Sequence, residues 1–134
     1  MNLKTPLLLL WLLCACCRGE LVIAEFMADN VAGIEDEDDT RQDWIELYNP
    51  DPESVNLAGW WLSDDPNNKT KWEFPDVSIA AGDTLLVWAS GKNRRVAGLP
   101  LHTNFSLAKA GEYLGLHRPP ATEADPPVPV AEFA

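Results

Sequence analysis

Beyond residue 17 this 134-residue sequence contains no cysteine. Its three cysteines, Cys14, Cys16 and Cys17, all lie in the first segment, so the rest of the chain has no disulfide framework, thiolate zinc site or cysteine nucleophile. Histidine is nearly absent too. His102 and His117 fit no metal-ligand spacing, no serine sits in a Gly-x-Ser-x-Gly elbow, and no Gly-rich phosphate loop precedes a helix. No enzyme is expected, and both histidines read as structural residues. Basic side chains are scarce, 10 Lys and Arg against 21 Asp and Glu, for a formal charge of −11. Nucleic acid is therefore a poor partner, because its binding is driven by cationic side chains that release counterions. Long apolar runs are missing as well. The longest, Leu7 to Leu13, is too short to cross a bilayer.

What that first segment does contain is a short start with one positive charge at Lys4, the apolar run, and small residues at Ala15 and Gly19. This layout predicts a secretory signal peptide over residues 1–19. Leu13-Cys14-Ala15-Cys16 also resembles the lipobox of bacterial lipoproteins, which implies lipidation of Cys16. Two kinds of processing stay open, cleavage near Gly19 and anchoring through Cys16. Either predicts a secreted, extracellular or cell-envelope protein. A small exported domain without cysteine also leans towards a prokaryotic setting. Loss of residues 1–19 would leave 8 basic and 21 acidic side chains, a formal charge of −13.

The remaining chain alternates in period two between turn signals. Leu21 to Ala28 reads as a first strand, with Glu25 on the face opposite Phe26. Residues 29–42, rich in acids, form a solvated loop. Trp44 to Tyr48 is a strand with Ile45 and Leu47 on one face, ended by Asn49-Pro50-Asp51-Pro52. Leu57 to Ser63 turns at Gly59, and Lys71 to Phe74 is short. Thr84 to Ala89 is the most apolar run and is expected to be a central strand buried on both faces. His102 to Leu107 is a weak strand, and Glu112 to His117 a better one. Such spacing predicts an all-β sandwich over residues 20–118. Residues 119–134 form a Pro-rich C-terminal tail whose end, Val128 to Phe133, is either an edge strand or frayed.

Several of these stretches, in this order, resemble the lamin tail domain: Ile23-Ala24-Glu25-Phe26, Asp43-Trp44-Ile45-Glu46-Leu47-Tyr48-Asn49, Asn56-Leu57-Ala58-Gly59-Trp60-Trp61-Leu62-Ser63-Asp64, Trp72-Glu73-Phe74 and Ile79 to Ala89. The resemblance implies an immunoglobulin-like β-sandwich, as found at the end of nuclear lamins and near the front of exported prokaryotic proteins. The lamin coiled-coil rod has no counterpart here, so filament assembly through heptads does not carry over. The last expected strands, after His117, are replaced by the proline-rich stretch, which makes the chain a shortened member or a fragment.

Candidate sites follow from residue type. Asp36, Asp38, Asp39 and Asp43 offer carboxylates of the kind calcium takes, although not in the EF-hand pattern. Trp44, Trp60, Trp61, Trp72 and Trp88 are expected to pack core and sheet surfaces. Trp44 and Trp61, placed away from Ile45 and Leu62, are also candidates for stacking on a glycan. Lys92, Asn93, Arg94 and Arg95 make a basic loop, and Asn68-Lys69-Thr70 and Asn104-Phe105-Ser106 fit the N-glycosylation sequon. The expected function is a non-catalytic exported module that binds a protein or glycan partner at the cell surface. The alternatives are the N-terminal fragment of an exported hydrolase or nuclease and a calcium-stabilised adhesion domain.

Overall fold

The computed structural model describes residues 19–134, so the signal-peptide reading and Cys16 lie outside the described residues. These residues form β1 (Val22–Met27), β2 (Asp43–Tyr48), β3 (Val55–Asn56), β4 (Trp61–Ser63), β5 (Trp72–Glu73), β6 (Ser78–Ile79), β7 (Thr84–Ala89), β8 (Leu101–His102), β9 (Leu114–Arg118) and β10 (Val128–Phe133). One four-stranded sheet runs β1-β2-β7-β8 and a second runs β10-β9-β4-β5, with β3 and β6 as a small pair. The architecture is the expected immunoglobulin-like sandwich. No helix long and apolar enough to cross a membrane occurs among the described residues.

Alternation explains which faces meet. Ile45 and Leu47 of β2, paired with Val87 and Leu85 of β7, point into the core, while Trp44, Glu46 and Tyr48 point out. From the second sheet come Leu62, Trp72, Leu114 and Leu116, each 2% exposed or less. Each aliphatic side chain buried in this way contributes about 1.5–3 kcal/mol. The Trp72 ring meets Phe74 edge-on at 4.9 Å, and its indole N–H has no hydrogen-bond partner.

Three elements depart from the sequence reading. In β1 the register slips between Ile23 and Glu25, so Ile23 and Phe26 share the inward face and Val22 turns outward with Glu25. A bulge inserts one residue and reverses the parity beyond it, which strict alternation does not anticipate. The central strand β7 is fully buried only over Val87 to Ala89; Leu85 packs partly buried against the core, while Thr84 and Leu86 lie on the outer face with Tyr48 and Glu46. Of the segment 102–107, only His102 is a strand residue; it extends β8, which lies parallel to β7. At the other end of the chain Val128–Phe133 pairs with β9 antiparallel, the edge-strand alternative for that stretch.

Asn49 shows how proline turns are held. Its buried side chain donates to the carbonyls of Glu53 and Ile79 at 2.8 and 2.9 Å and accepts from the Asp51 amide at 2.9 Å. One side chain therefore fixes the turn after β2 to β6.

Candidate functional site

Three acids of the acidic loop, Asp36, Glu37 and Asp38, meet Lys92 and Arg94 of the basic loop. Asp36 is buried; one carboxylate oxygen accepts from the amides of Asp38 and Thr40 and from the Thr40 hydroxyl, at 2.8 to 3.1 Å. The other oxygen holds the Lys92 ammonium. Asp38 shares Lys92 at 2.8 Å and meets Arg94 at 2.7 Å, and Arg94 also holds Glu37. Burial acts to raise the Asp36 carboxyl, but the bonds from Lys92 and Thr40 outweigh it and keep it well below the usual carboxylate range. Arg94 and then Lys92 lower Asp38. Lys92 is raised in turn: burial opposes its charge, and Asp36 and Asp38 favour it more strongly.

Beneath this network lies His102, fully buried. Its Nε2 stands 2.8 and 2.9 Å from the two Glu37 oxygens, and its Nδ1 stands 2.8 Å from Ser90 Oγ. Glu37 is lowered, since bonds from His102 and Arg94 outweigh its burial. An ionised carboxylate only accepts, so Nε2 carries the proton between them. A serine, a histidine and an acid in line are the parts of a nucleophilic triad. Here the ring is sealed, the acid is shared with Arg94, and Ser90 Oγ accepts the Lys92 amide at 3.1 Å. The line docks the acidic loop onto the end of β7.

Among the described residues, the ligand-type atoms close enough to share one ion belong to Asp36, Glu37 and His102 and lie within 4.8 Å of one another. Of the four calcium candidates the structure thus brings Asp36 and Asp38 together around Lys92. Asp39 is exposed at the turn, in a left-handed conformation (φ 57°). Asp43 faces elsewhere, accepting from the backbone of Asn30 at 3.3 Å and of Leu107 at 3.2 Å. Glu37 and His102 escaped the sequence reading because they are 65 positions apart. The one signal available was the charge balance between an acidic loop and a basic loop.

The two tryptophan candidates lie on different sheets. Trp44 is half-buried on the outer face of the first sheet, in register with Met27 on one side and Trp88 on the other. Trp88 continues the row to His102, stacked at 6.3 Å. Trp61 is half-buried on the second sheet, where it lines a groove of 340 Å³ with Pro119, Pro120, Pro127, Glu123 and Asp125. A larger groove of 640 Å³ opens where the edges of the two sheets meet, between Phe26 of β1 and Phe133 of β10, with Leu107 and Leu114 below. The two phenyl rings stand 5.5 Å apart. Both sequons are turn segments: Asn68 is exposed, while the Asn104 amide donates to the Lys71 carbonyl at 2.9 Å.

A second polar cluster sits on the outer face of the second sheet. Glu132 of β10 accepts from Lys69 at 2.7 Å and from Tyr113 at 2.6 Å, and buried His117 approaches both Tyr113 and Glu132 at 3.2 Å. Lys69 and then Tyr113 hold the Glu132 carboxyl down at about 2. Burial lowers His117.

A family model, the Lamin Tail Domain, matches residues 17–125. Among curated proteins, none matches the chain.

Proposed function

The chain belongs to the lamin tail domain family, and from that premise we propose that it is an exported, non-catalytic module that binds a protein partner at the cell surface. The family is one of non-enzymatic immunoglobulin-like domains. One observation carries the reading furthest. Polar chemistry is locked internally, in the Asp36–Lys92 and His102–Glu37 pairs, whereas the groove between Phe26 and Phe133 presents apolar walls. Apolar walls with a few polar groups suit the side chains of an extended protein segment. A glycan is the second reading, favoured by Trp61 beside Glu123 and Asp125, an aromatic face flanked by hydrogen-bond acceptors.

Amide NMR titration with hydrophobic peptides and with oligosaccharides tests both. Saturable shifts around Phe26, Leu107 and Phe133 are expected with peptides. Shifts centred on Trp61 with oligosaccharides would transfer the function to the second groove. Turnover of a hydrolase or nuclease substrate would overturn the non-catalytic reading. Export is tested by fractionating the expressing cells and reading the N-terminus by mass spectrometry, with cleavage near Gly19 or a lipid on Cys16 as the supporting results.

A further inference from the structure

Among the described residues four strands end the two four-stranded sheets, and one of them differs from the rest. β5 and β8 are two residues long. β10 carries Pro129, which has no N–H to offer. Each is a poor template for another strand. β1 runs six residues without proline or lysine, and its one charged side chain is Glu25. Val22, Phe26 and Met27 are 40%, 42% and 40% exposed. We propose that β1 is a self-association edge: two copies of the chain pair their β1 strands antiparallel about a two-fold axis, joining two four-stranded sheets into one of eight.

The bulge in β1 sets the register. Val22, Glu25 and Met27 lie opposite the outward residues Tyr48, Glu46 and Trp44, while Ile23 and Phe26 lie opposite the inward Leu47 and Ile45. Antiparallel partners share a face. Pairing Val22 with Met27 of the second copy, and Ile23 with its Phe26, matches outward with outward and inward with inward. Ala24 then meets Glu25 of the second copy. A shift of one residue, which would set Glu25 against its own copy, puts inward Ile23 against outward Met27 and breaks the match. The favoured register joins exposed Val22 to exposed Met27 twice, by symmetry. A two-fold contact of this kind closes at the dimer.

Sedimentation equilibrium on the full chain, its N-terminus read by mass spectrometry, tests the proposal over a dilution series reaching the ~mM range. One reversible monomer–dimer step is expected. It should strengthen with salt, because both copies are strongly acidic and salt screens their repulsion. Val22→Lys with Met27→Lys sets ammonium groups opposite one another and is expected to weaken association by ~10-fold or more. Val22→Lys with Met27→Glu sets opposite charges in register and is expected to restore it, now with a salt dependence of the other sign. A wild-type chain that stays monomeric, assembles beyond the dimer, or ignores the lysine pair overturns the inference, as does a Lys/Glu chain no tighter than the Lys/Lys chain. Should either variant lose its cooperative melt, amide exchange of the wild type decides. Protection of β1 amides that rises with concentration supports the edge, and protection independent of concentration overturns it. Peptide binding in the Phe26–Phe133 groove by a monomer would leave the proposed function standing and remove this dimer.

Discussion

Gly115 is the residue at which one methyl group would disturb most. A Cβ there would stand 2.3 Å from the Tyr113 hydroxyl and 2.6 Å from His117 Cε1, because Tyr113 crosses over this glycine to reach Glu132. Gly115→Ala must swing the phenol away, and overpacking of this kind costs about 1–3 kcal/mol. Thermal unfolding should fall by roughly 4–8 °C per kcal/mol. An unchanged midpoint would mean that Tyr113 leaves its site freely. The same cluster gives an acid dependence. His117 is held below its ordinary 6.5 by burial, so the unfolded chain binds the proton first and stability falls as pH drops from 6.5 towards the folded value. Lys69, Tyr113 and Glu132 face the ring, and Glu132, lowered from 4.5 to about 2, adds a second loss between those values. In urea titrations at stepped pH, His117→Gln should flatten the first decline and leave the second. Lys69→Met should shrink the second, and only modestly, because solvent screens this exposed pair. None of this was legible in the sequence, where His117 is one isolated histidine. Apart from Tyr113, four positions before it, the groups around it come from 48 positions upstream and 15 downstream.

Among the elements, the acidic loop rests on Lys92. The Asp36 side chain is fully buried, so Lys92→Met leaves a carboxylate that neither water nor a cation satisfies. Breaking one side of such a pair costs about 3–5 kcal/mol. Asp36 keeps its Thr40 bonds, so we expect the lower end. Amides of residues 36–42 should exchange faster in this variant, and equal exchange would show that the Glu37–His102 and Arg94 contacts hold the loop without Lys92. Because Lys92 and Arg94 already neutralise Asp36, Glu37 and Asp38, millimolar calcium should leave the wild-type melting midpoint where a chelator leaves it. A rise of ten degrees or so, the size expected for a site filled ~100-fold above its Kd, would restore the calcium reading. The run of acids was readable as a loop from its lack of apolar period. That it folds back on a basic loop more than fifty residues later was not, because charge sign carries no address. Strands follow the same division. β2 and β9 could be read from alternation, whereas the β1 bulge and the parallel β8 depend on neighbours that a local pattern does not contain.

For the molecule as a whole, the most informative segment is the one the sequence left undecided. Nine proline-rich residues separate β9 from β10, and composition reads them as a tail. Yet the six residues beyond recover a strand pattern and pair with β9 in five register positions. With β10 in place β9 is an interior strand, Val130 and Ala131 pack on the core, and Phe133 meets Phe26 across the gap between the sheets. Deleting residues 128–134 would remove that cover, the Lys69–Glu132 bond and one wall of the groove together. Each partly buried aliphatic group is worth about 1 kcal/mol, as is a net hydrogen bond. The sum is a large share of the 5–15 kcal/mol that holds a domain of this size. The shortened chain should therefore lose near-UV circular dichroism and unfold in urea with a lower midpoint and a shallower slope, while removal of Ala134 alone should change neither. A shortened chain with the full slope would place the edge of the second sheet at β9. The groove would then be an opening in the sandwich rather than a site built from two of its strands.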